Sequence, residues 1–146
     1  MVLLQNTNLR QLCIDDFEKL KMFHVKHFQN YKISDESFIA YLSQPQYQTF
    51  GMFHVKHLIG YVIFLASKSE ADIVYIAVHP DYRRQGVATA LLNSIDKDLD
   101  DYKIFLEVSI ENLGAIAFYK SQGFQIGAIR PKYLDGKDSY LMVKKF

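Results

Sequence analysis

A short stretch in the middle of the chain carries residues that suit the binding of an anion. An apolar run over residues 71–78 ends at Pro80, and Arg83, Arg84 and Gly86 follow it before an apolar helical pattern begins. The first amides of a helix have no partner within the helix and carry the positive end of its dipole. Glycine lets the backbone approach a ligand closely. The stretch therefore predicts a phosphate-binding turn, although such a turn can also be a plain connection.

Two strands and a helix must hold this turn. Residues 71–78 are apolar except at Asp72 and rich in β-branched side chains, which predicts a strand buried on both faces. Residues 103–109 form a second short apolar strand, and the crossover between the two strands is long enough for a helix, so we expect a parallel pair. The helix should begin within residues 83–86, because apolar residues then lie on one stripe at Ala88, Leu91, Leu92, Ile95 and Leu99.

The letters of this stretch and of the following half of the chain resemble the GCN5-related N-acetyltransferase (GNAT) family. Arg83, Gly86 and Ala88 match the family signature Gln/Arg-x-x-Gly-x-Gly/Ala. The pattern Asn-x-x-Ala-x-x-x-Tyr-x-x-x-Gly-Phe from Asn112, preceded by Glu107-Val108, is similar to the bacterial ribosomal-protein-alanine N-acetyltransferases. That likeness extends from about Gly60 to the C-terminus and includes Arg130, Tyr133, Gly136, Asp138 and Met142.

The resemblance implies a fold of α/β (α+β) class, as one acetyltransferase domain over residues 1–146. We expect a central, mostly antiparallel mixed sheet of about six to seven strands, with about four helices on its two faces. The parallel pair of strands should splay apart at the cofactor site.

The same resemblance implies roles for individual residues. Glu107 is the expected general base, acting through water, and Tyr119 the expected acid that protonates the departing thiolate. Acetyl-CoA is the expected cosubstrate, without a metal. The residues expected to contact it are Ala77, Val78, Arg83, Arg84, Gln85, Gly86, Val87, Ala88, Thr89 and Asn112. The residues expected to contact the acceptor are Arg130, Tyr133 and Asp138.

Each of these residues also has a plainer structural explanation. Glu107 could be a solvent-facing glutamate on a strand, and Tyr119 a core tyrosine whose hydroxyl reaches the surface. Asn112 could simply cap the helix that follows it. The three acceptor residues could belong to an ordinary hairpin with an ion pair.

The expected acceptor is a primary amine, and a protein N-terminal α-amine in particular. An α-amine has a reference pKa near ~7.8 and a lysine amine near ~10.4, so the α-amine is more often neutral at pH 7. The alternatives are a small amine, such as a polyamine, an amino acid or an antibiotic, and a non-catalytic acyl-CoA-binding module.

Composition narrows the class of protein. A hydrophobic fraction of 49% and a charged fraction of 23% are typical of globular chains. A formal charge of +1 disfavours nucleic acid and anionic lipid as partners. The single cysteine, Cys13, predicts a buried free thiol, and without a leader pattern or a long apolar run we expect a cytoplasmic protein. The oligomeric state is left open.

Local patterns predict the remaining elements. Before the turn we expect a strand over residues 9–14, a helix from Asp15 to about Phe28, a capped helix from Ser34 to Pro45, and antiparallel strands over 46–55 and 58–66. These two strands should meet at a tight turn at His57, with Gly60 at a bulge or close contact. After the parallel pair we expect a helix from Asn112 to Ser121, ended by Gly123, and a hairpin over 124–130 and 138–146 with Asp135-Gly136 as its turn. Gly127 should be an ordinary strand residue.

The hexapeptide MFHVKH occurs twice, at residues 22–27 in a predicted helix and 52–57 in a predicted strand. Helices and strands make different demands on side-chain pattern, so no shared structural unit requires this repeat. On a strand, His54 and His57 would point to opposite faces, which disfavours a shared metal. One allowed codon series, ATG TTT CAC GTG AAA CAT, is its own reverse complement and resembles a centromere-like bacterial partition site. We therefore predict a constraint in the DNA and a bacterial source.

Overall fold

The computed structural model describes residues 5–28, 32–95, 101–134 and 136–146. In chain order its elements are β1 (Thr7–Gln11), α1 (Phe17–His27), α2 (Asp35–Ser43), β2 (Tyr47–His54), β3 (His57–Ala66), β4 (Glu70–Val78), α3 (Val87–Leu92), β5 (Lys103–Ser109), α4 (Leu113–Ser121), β6 (Gln125–Leu134) and β7 (Lys137–Lys145). Short 3-10 helices at Ile14–Asp16 and Pro80–Tyr82 precede α1 and α3. None of the described helices is long and apolar enough to cross a membrane.

The seven strands form one mixed sheet in the order β1-β2-β3-β4-β5-β7-β6. Strands β4 and β5 are parallel, and their described pairing covers three residue pairs, from Glu70↔Lys103 to Asp72↔Phe105. The pairings of β1 with β2, β2 with β3, β5 with β7 and β6 with β7 are antiparallel. The predicted mixed sheet with one parallel pair is confirmed.

The chain divides into two compact units. The first unit comprises Met1–Leu65 and Val74–Asp96, and the second comprises Ala66–Ile73 and Lys97–Phe146. Strand β4 contributes residues to both. The expectation of a single domain stays a prediction.

In the first unit, α1 and α2 cover one face of β2 and β3. Their buried residues Leu20, Phe23, Phe38 and Leu42 join Phe53, Tyr61 and Ile63 in one apolar cluster. The Nδ1 atom of His24 and the hydroxyl of Tyr61 share a hydrogen bond of 2.9 Å inside this cluster. Because both polar side chains are buried, the bond removes the penalty of burying each alone.

Gly60 brings the opposite face of β3 close to α3. A Cβ built at Gly60 would lie 3.0 Å from the backbone oxygen of Ala77, 3.1 Å from Val87 Cγ1 and 3.2 Å from Leu91 Cδ1. The register of β2 and β3 also shifts here, since Met52 faces Gly60 while Phe53 faces Leu58. The predicted bulge and close contact at Gly60 are confirmed. Val87 and Leu91 fix the position of α3 at this point.

In the second unit, β5 alternates buried and half-buried residues. Ile104, Leu106 and Val108 are buried, and Met142 of β7 is buried opposite Leu106. Asn112 caps α4 as predicted, because its Oδ1 accepts a hydrogen bond of 3.2 Å from the Ala115 N–H. Gly123, with a φ of 96°, follows the last turn of α4 in the left-handed region, also as predicted.

Strand β4 is less buried than its apolar sequence indicated. Only Ala71 and Ala77 are buried among its described residues, while residues 73–76 are half-buried. The prediction of burial on both faces was wrong, because an apolar run reports the composition of a strand and not how much neighbouring structure covers it.

The β2–β3 turn was also placed wrongly. The turn residues are Val55 and Lys56, and Val55 has a φ of 59°. His57 instead begins β3 and pairs directly with His54 across the hairpin. Facing partners share a side of the sheet, so the expectation of opposite faces for the two histidines was wrong.

Three local expectations also need correction. Helix α3 was predicted to reach Leu99 but ends at Leu92, because Asn93 is its C-cap and the Ser94 N–H donates a hydrogen bond to the Leu91 carbonyl. Leu99 itself lies outside the described residues. Gly127 lies at a register shift between β6 and β7, where an extra residue interrupts the pairing. Cys13 is exposed, because it precedes the first turn before α1 on the surface of the first unit.

Candidate active site

The predicted phosphate-binding turn lies between the 3-10 helix Pro80–Tyr82 and α3. Gly86 is the N-cap of α3 with φ 85° and ψ 3°, a left-handed conformation that favours glycine. Arg84 also has a positive φ, of 60°. The side chains of Arg83 and Arg84 are exposed. The turn thus combines two exposed guanidinium groups with the first amides of a helix, which fits a pyrophosphate.

Side chains of the turn also hold it in shape. Arg83 Nε donates to the Val78 carbonyl at 3.4 Å, and Gln85 Nε2 donates to the Asp81 carbonyl at 3.2 Å. The Asp81 N–H donates to His79 Nδ1 at 3.0 Å. Part of the hydrogen-bonding capacity of Arg83 and Gln85 is therefore used within the turn.

Glu107, the predicted base, lies in β5 with its carboxylate held by two side chains. Oε1 forms an ion pair with Arg130 Nε at 2.9 Å, and Oε2 accepts a hydrogen bond of 2.9 Å from Ser139 Oγ. The Glu107 side chain is 19% exposed. Arg130, predicted to contact the acceptor, forms an ion pair with the predicted base, and its acceptor contact stays a prediction.

The strand register explains this cluster. Ser139 of β7 pairs with Ser109 of β5 on one side and with Arg130 of β6 on the other. Glu107 lies two residues before Ser109, so its side chain is on the same face of the sheet. Three adjacent strands therefore bring Glu107, Ser139 and Arg130 together.

Sequence reasoning missed Ser139. The two antiparallel pairings that flank it were not predicted residue by residue, although both strands were. The available signal was a small polar residue directly before the apolar run over residues 140–143 of the last strand, which would need a hydrogen-bond partner if buried.

Tyr133 and Asp138 lie at the irregular end of the β6–β7 hairpin. The guanidinium carbon of Arg130 lies 5.0 Å from the centre of the Tyr133 ring, and Tyr133 is 54% exposed. Asp138 Oδ1 accepts a hydrogen bond of 3.0 Å from the Lys132 N–H, where Lys132 has a φ of 53°. Asp138 thus supports the backbone here, whereas Arg130 and Tyr133 join the Glu107 cluster.

Tyr119, the predicted acid, lies on α4 among aromatic rings. Its ring centre is 5.5 Å from that of Phe118 and 5.7 Å from that of Phe124. Burial raises the pKa of the Tyr119 phenol to about 12, so the group stays protonated through neutral pH. The oxygen of Asn112 is used in capping α4, and its predicted cofactor contact stays a prediction.

The two sets of predicted residues belong to different units. The turn residues are in the first unit, and Glu107, Tyr119, Arg130 and Tyr133 are in the second. In the described part of the chain, no group of three or more His, Cys, Asp or Glu side chains is arranged to hold a metal ion.

A family model described as the acetyltransferase (GNAT) family matches residues 8–124. The chain belongs to the GNAT acetyltransferase family. The match includes the turn at Gly86 and both Glu107 and Tyr119. The predicted family is confirmed.

Relatives of this GNAT chain include N-terminal acetyltransferases. It is 42% identical over 77 residues to an N-alpha-acetyltransferase of Saccharolobus solfataricus, covering 49% of this chain and 46% of that protein. It is 39% identical over 80 residues to the ribosomal protein bS18-alanine N-acetyltransferase of Escherichia coli K12, covering 51% of this chain and 54% of that protein. The chain thus matches about half the length of these curated relatives. Because archaeal as well as bacterial proteins match, the bacterial source stays a prediction.

Solved GNAT structures match over nearly the whole chain. The ribosomal-protein-S18-alanine N-acetyltransferase from Escherichia coli superposes with a TM-score of 0.82 at 27% identity, covering 95% of this chain and 93% of that one. Arabidopsis thaliana NAA60 in complex with acetyl-CoA gives a TM-score of 0.82 at 20% identity, covering 96% and 98%. At that identity the likeness to NAA60 shows the fold alone.

Proposed function

We propose that the chain is an acetyl-CoA-dependent N-acetyltransferase whose acceptor is the α-amine of a protein N-terminus. The observation that carries this proposal is the likeness to the Escherichia coli ribosomal-protein-S18-alanine N-acetyltransferase over 95% of the chain. The matching N-alpha-acetyltransferase supports the same acceptor class.

The turn before α3 is the proposed cofactor-binding element. Acetyl-CoA supplies the acetyl group as a thioester and carries a pyrophosphate. The exposed guanidinium groups of Arg83 and Arg84, with the backbone amides from Gly86 to Thr89, would hold the pyrophosphate. A backbone N–H near Ala77 or Val78 would meet the negative charge that develops on the carbonyl oxygen. Asn112 remains a candidate contact through its amide nitrogen.

Glu107 is the proposed general base. An α-amine with a pKa near ~7.8 is neutral in roughly one molecule in seven at pH 7, so attack can begin without a strong base. A second proton leaves the nitrogen as the C–N bond forms, and Glu107 would take it through a water molecule. The partial exposure of the Glu107 side chain, 19%, is compatible with this route.

Tyr119 is the proposed proton donor to the departing sulfur. The amine adds to the thioester carbonyl first; the C–S bond then breaks as the carbonyl re-forms, and the departing thiolate takes the phenolic proton. Since burial raises the pKa of Tyr119 to about 12, transfer to a thiolate whose conjugate acid lies near ~8.5 is uphill as an isolated step. We therefore expect Tyr119 to donate a hydrogen bond first and to transfer its proton only as the C–S bond breaks.

A peptide panel tests the acceptor. Thiol release from acetyl-CoA would be measured with peptides that begin with Ala or Ser, and with the same peptides carrying a blocked N-terminus and a free lysine. We expect the free N-termini to react faster, because a lysine amine is harder to deprotonate by about 2.5 pK units. Equal rates with the blocked peptides would contradict the α-amine assignment. Activity confined to polyamines, amino acids or antibiotics would favour the small-amine alternative.

Two matched substitutions test the base. Glu107→Gln should lower turnover, mainly at low pH where proton removal limits the rate. Glu111→Gln is the control, because Glu111 is a 63% exposed glutamate that pairs with Lys137 at the surface. We expect wild-type turnover from this control. Wild-type rates from Glu107→Gln across pH would mean that Glu107 is not the base.

A further inference from the structure

We propose that Ser139 is a positioning residue for the general base Glu107. This inference rests on the proposed function, since it assigns Ser139 a part in that reaction. Ser139 is 0% exposed, and its hydroxyl donates a hydrogen bond of 2.9 Å to Glu107 Oε2.

The geometry gives Ser139 a task that Arg130 alone cannot perform. The last torsion of a glutamate side chain has broad minima, so a single contact leaves its carboxylate plane free to turn. Here each oxygen has its own partner: Arg130 Nε from β6 forms an ion pair with Oε1, and Ser139 Oγ from β7 donates a hydrogen bond to Oε2. Two partners on adjacent strands fix the carboxylate plane, and with it the direction of the remaining lone pairs.

The two partners of the Glu107 carboxylate differ in their exposure to solvent. The side chain of Arg130 is 46% exposed and also lies over the Tyr133 ring. Ser139 is buried between its two strand partners and has a short side chain, so its hydroxyl stays near one position. Ser139 is therefore the buried support of the carboxylate, and Arg130 is the solvent-exposed one.

A buried strand hydroxyl does not need a carboxylate to be satisfied. Thr49 of β2 is 1% exposed, and its hydroxyl donates to the backbone carbonyl of Tyr41 at 2.8 Å. Ser139 differs because its acceptor is the proposed base. Thr49 thus supplies the control for a hydroxyl with a purely structural role.

A double-mutant cycle tests the proposal. Turnover would be measured with acetyl-CoA and a peptide that begins with Ala, for Ser139→Ala in the wild-type and Glu107→Gln backgrounds. In wild type we expect kcat to fall about tenfold, the size expected for one lost hydrogen bond to a charged group, with little change in KM for acetyl-CoA. In the Glu107→Gln background the same substitution should change kcat less than about twofold, because Ser139 acts through Glu107. Single-turnover measurements with excess enzyme allow the low turnover of the Glu107→Gln variants to be measured.

Matched variants separate positioning from stability. Ser139→Thr keeps the hydroxyl and should retain more turnover than Ser139→Cys, which keeps the approximate size but donates weakly. These two also serve if Ser139→Ala does not fold. Thr49→Ala should lower the melting temperature and leave kcat unchanged in both backgrounds.

The outcomes distinguish the two levels of proposal. An unchanged kcat in Ser139→Ala, or an equal loss in both backgrounds, would overturn the positioning role while Glu107 remained the base. Wild-type turnover from Glu107→Gln would instead overturn the proposed base, and the role of Ser139 with it.

Discussion

Gly60→Ala tests whether the contact between β3 and α3 sets the cofactor-binding turn. The new methyl group would meet the Ala77 backbone oxygen at 3.0 Å and side-chain atoms of Val87 and Leu91 at 3.1 and 3.2 Å. The two side chains can shift by a few tenths of an ångström, but the carbonyl belongs to a paired strand. Val87 is the first residue of α3, so any shift there moves the turn directly.

The magnitude follows from two opposing terms. Overpacking of this kind costs about 1–3 kcal/mol, and the loss of glycine freedom in the unfolded chain returns about 0.4–1 kcal/mol. The net destabilisation should be about 1–2 kcal/mol, which lowers the melting temperature by about 3–6 °C for a chain of this size.

Thermal unfolding with and without acetyl-CoA measures both effects. Gly60→Ala should melt lower than wild type and gain less stability from acetyl-CoA, because a displaced turn binds it more weakly. Gly114→Ala is the control, since no atom lies within 4 Å of a Cβ built there and alanine favours the helix by about 0.5–1 kcal/mol. If the two variants melt together and respond equally to acetyl-CoA, the proposed support of α3 through Gly60 is wrong.

Three further substitutions test separate parts of the protein. Gly86→Glu should abolish the acetyl-CoA-induced rise in melting temperature, since it adds bulk and negative charge at a φ of 85°; an undiminished rise would remove the turn from the site. Tyr119→Phe should lower turnover and also reduce the loss of stability at alkaline pH. The pKa of Tyr119 is about 12 in the folded chain and about 10 in the unfolded chain, so its contribution to stability is complete below pH 10 and falls by about 2 kcal/mol as pH rises to 12. Asp16→Asn should lower the free energy of unfolding by about 1–2 kcal/mol at pH 7, measured by denaturant titration, because Arg10 holds the pKa of Asp16 at about 2. The wild-type protein should lose the same stability as pH falls from about 4 to 2, whereas the variant should not.

The fold could be predicted because its main signals are local. Neighbouring residues alone were enough to predict three elements: the strand over 71–78, the helix after Gly86 and the helix that Asn112 caps. Gly123 was predicted as the left-handed end of a helix and has a positive φ; Gly86, predicted for close approach to a ligand, has one too. Burial was harder to predict, because the exposure of residues 74–76 depends on which side chains, distant in sequence, pack over them.

The sequence indicated individual candidate site residues but not their arrangement. Letter patterns placed Glu107, Arg130 and Tyr133 in one functional set, yet they did not indicate that Arg130 pairs with Glu107. That pairing needs the register of three strands, and the β6–β7 hairpin shifts register near Gly127 and again between Arg130 and Leu134. A register shift of one residue would turn the Ser139 side chain to the other face of the sheet. The contact between Ser139 and Glu107 therefore could not be predicted without the strand register.

The repeated hexapeptide supports a constraint outside the protein, because the fold uses its two copies differently. The first copy lies in α1, where Phe23 and His24 are buried; the second ends β2, forms the Val55-Lys56 turn and begins β3. Equivalent histidines have different partners, since His24 bonds to Tyr61 and His54 lies 3.1 Å from the Tyr82 hydroxyl. Neither set of contacts requires all six residues, so we expect the gene to carry the palindromic codon series at both copies.

Two measurements check this prediction: sequencing of the gene, and the stability of the protein after Lys26 or Lys56 is replaced by arginine. Synonymous codons that break the palindrome at either copy would contradict the prediction, and so would a large loss of stability from both exposed lysine substitutions.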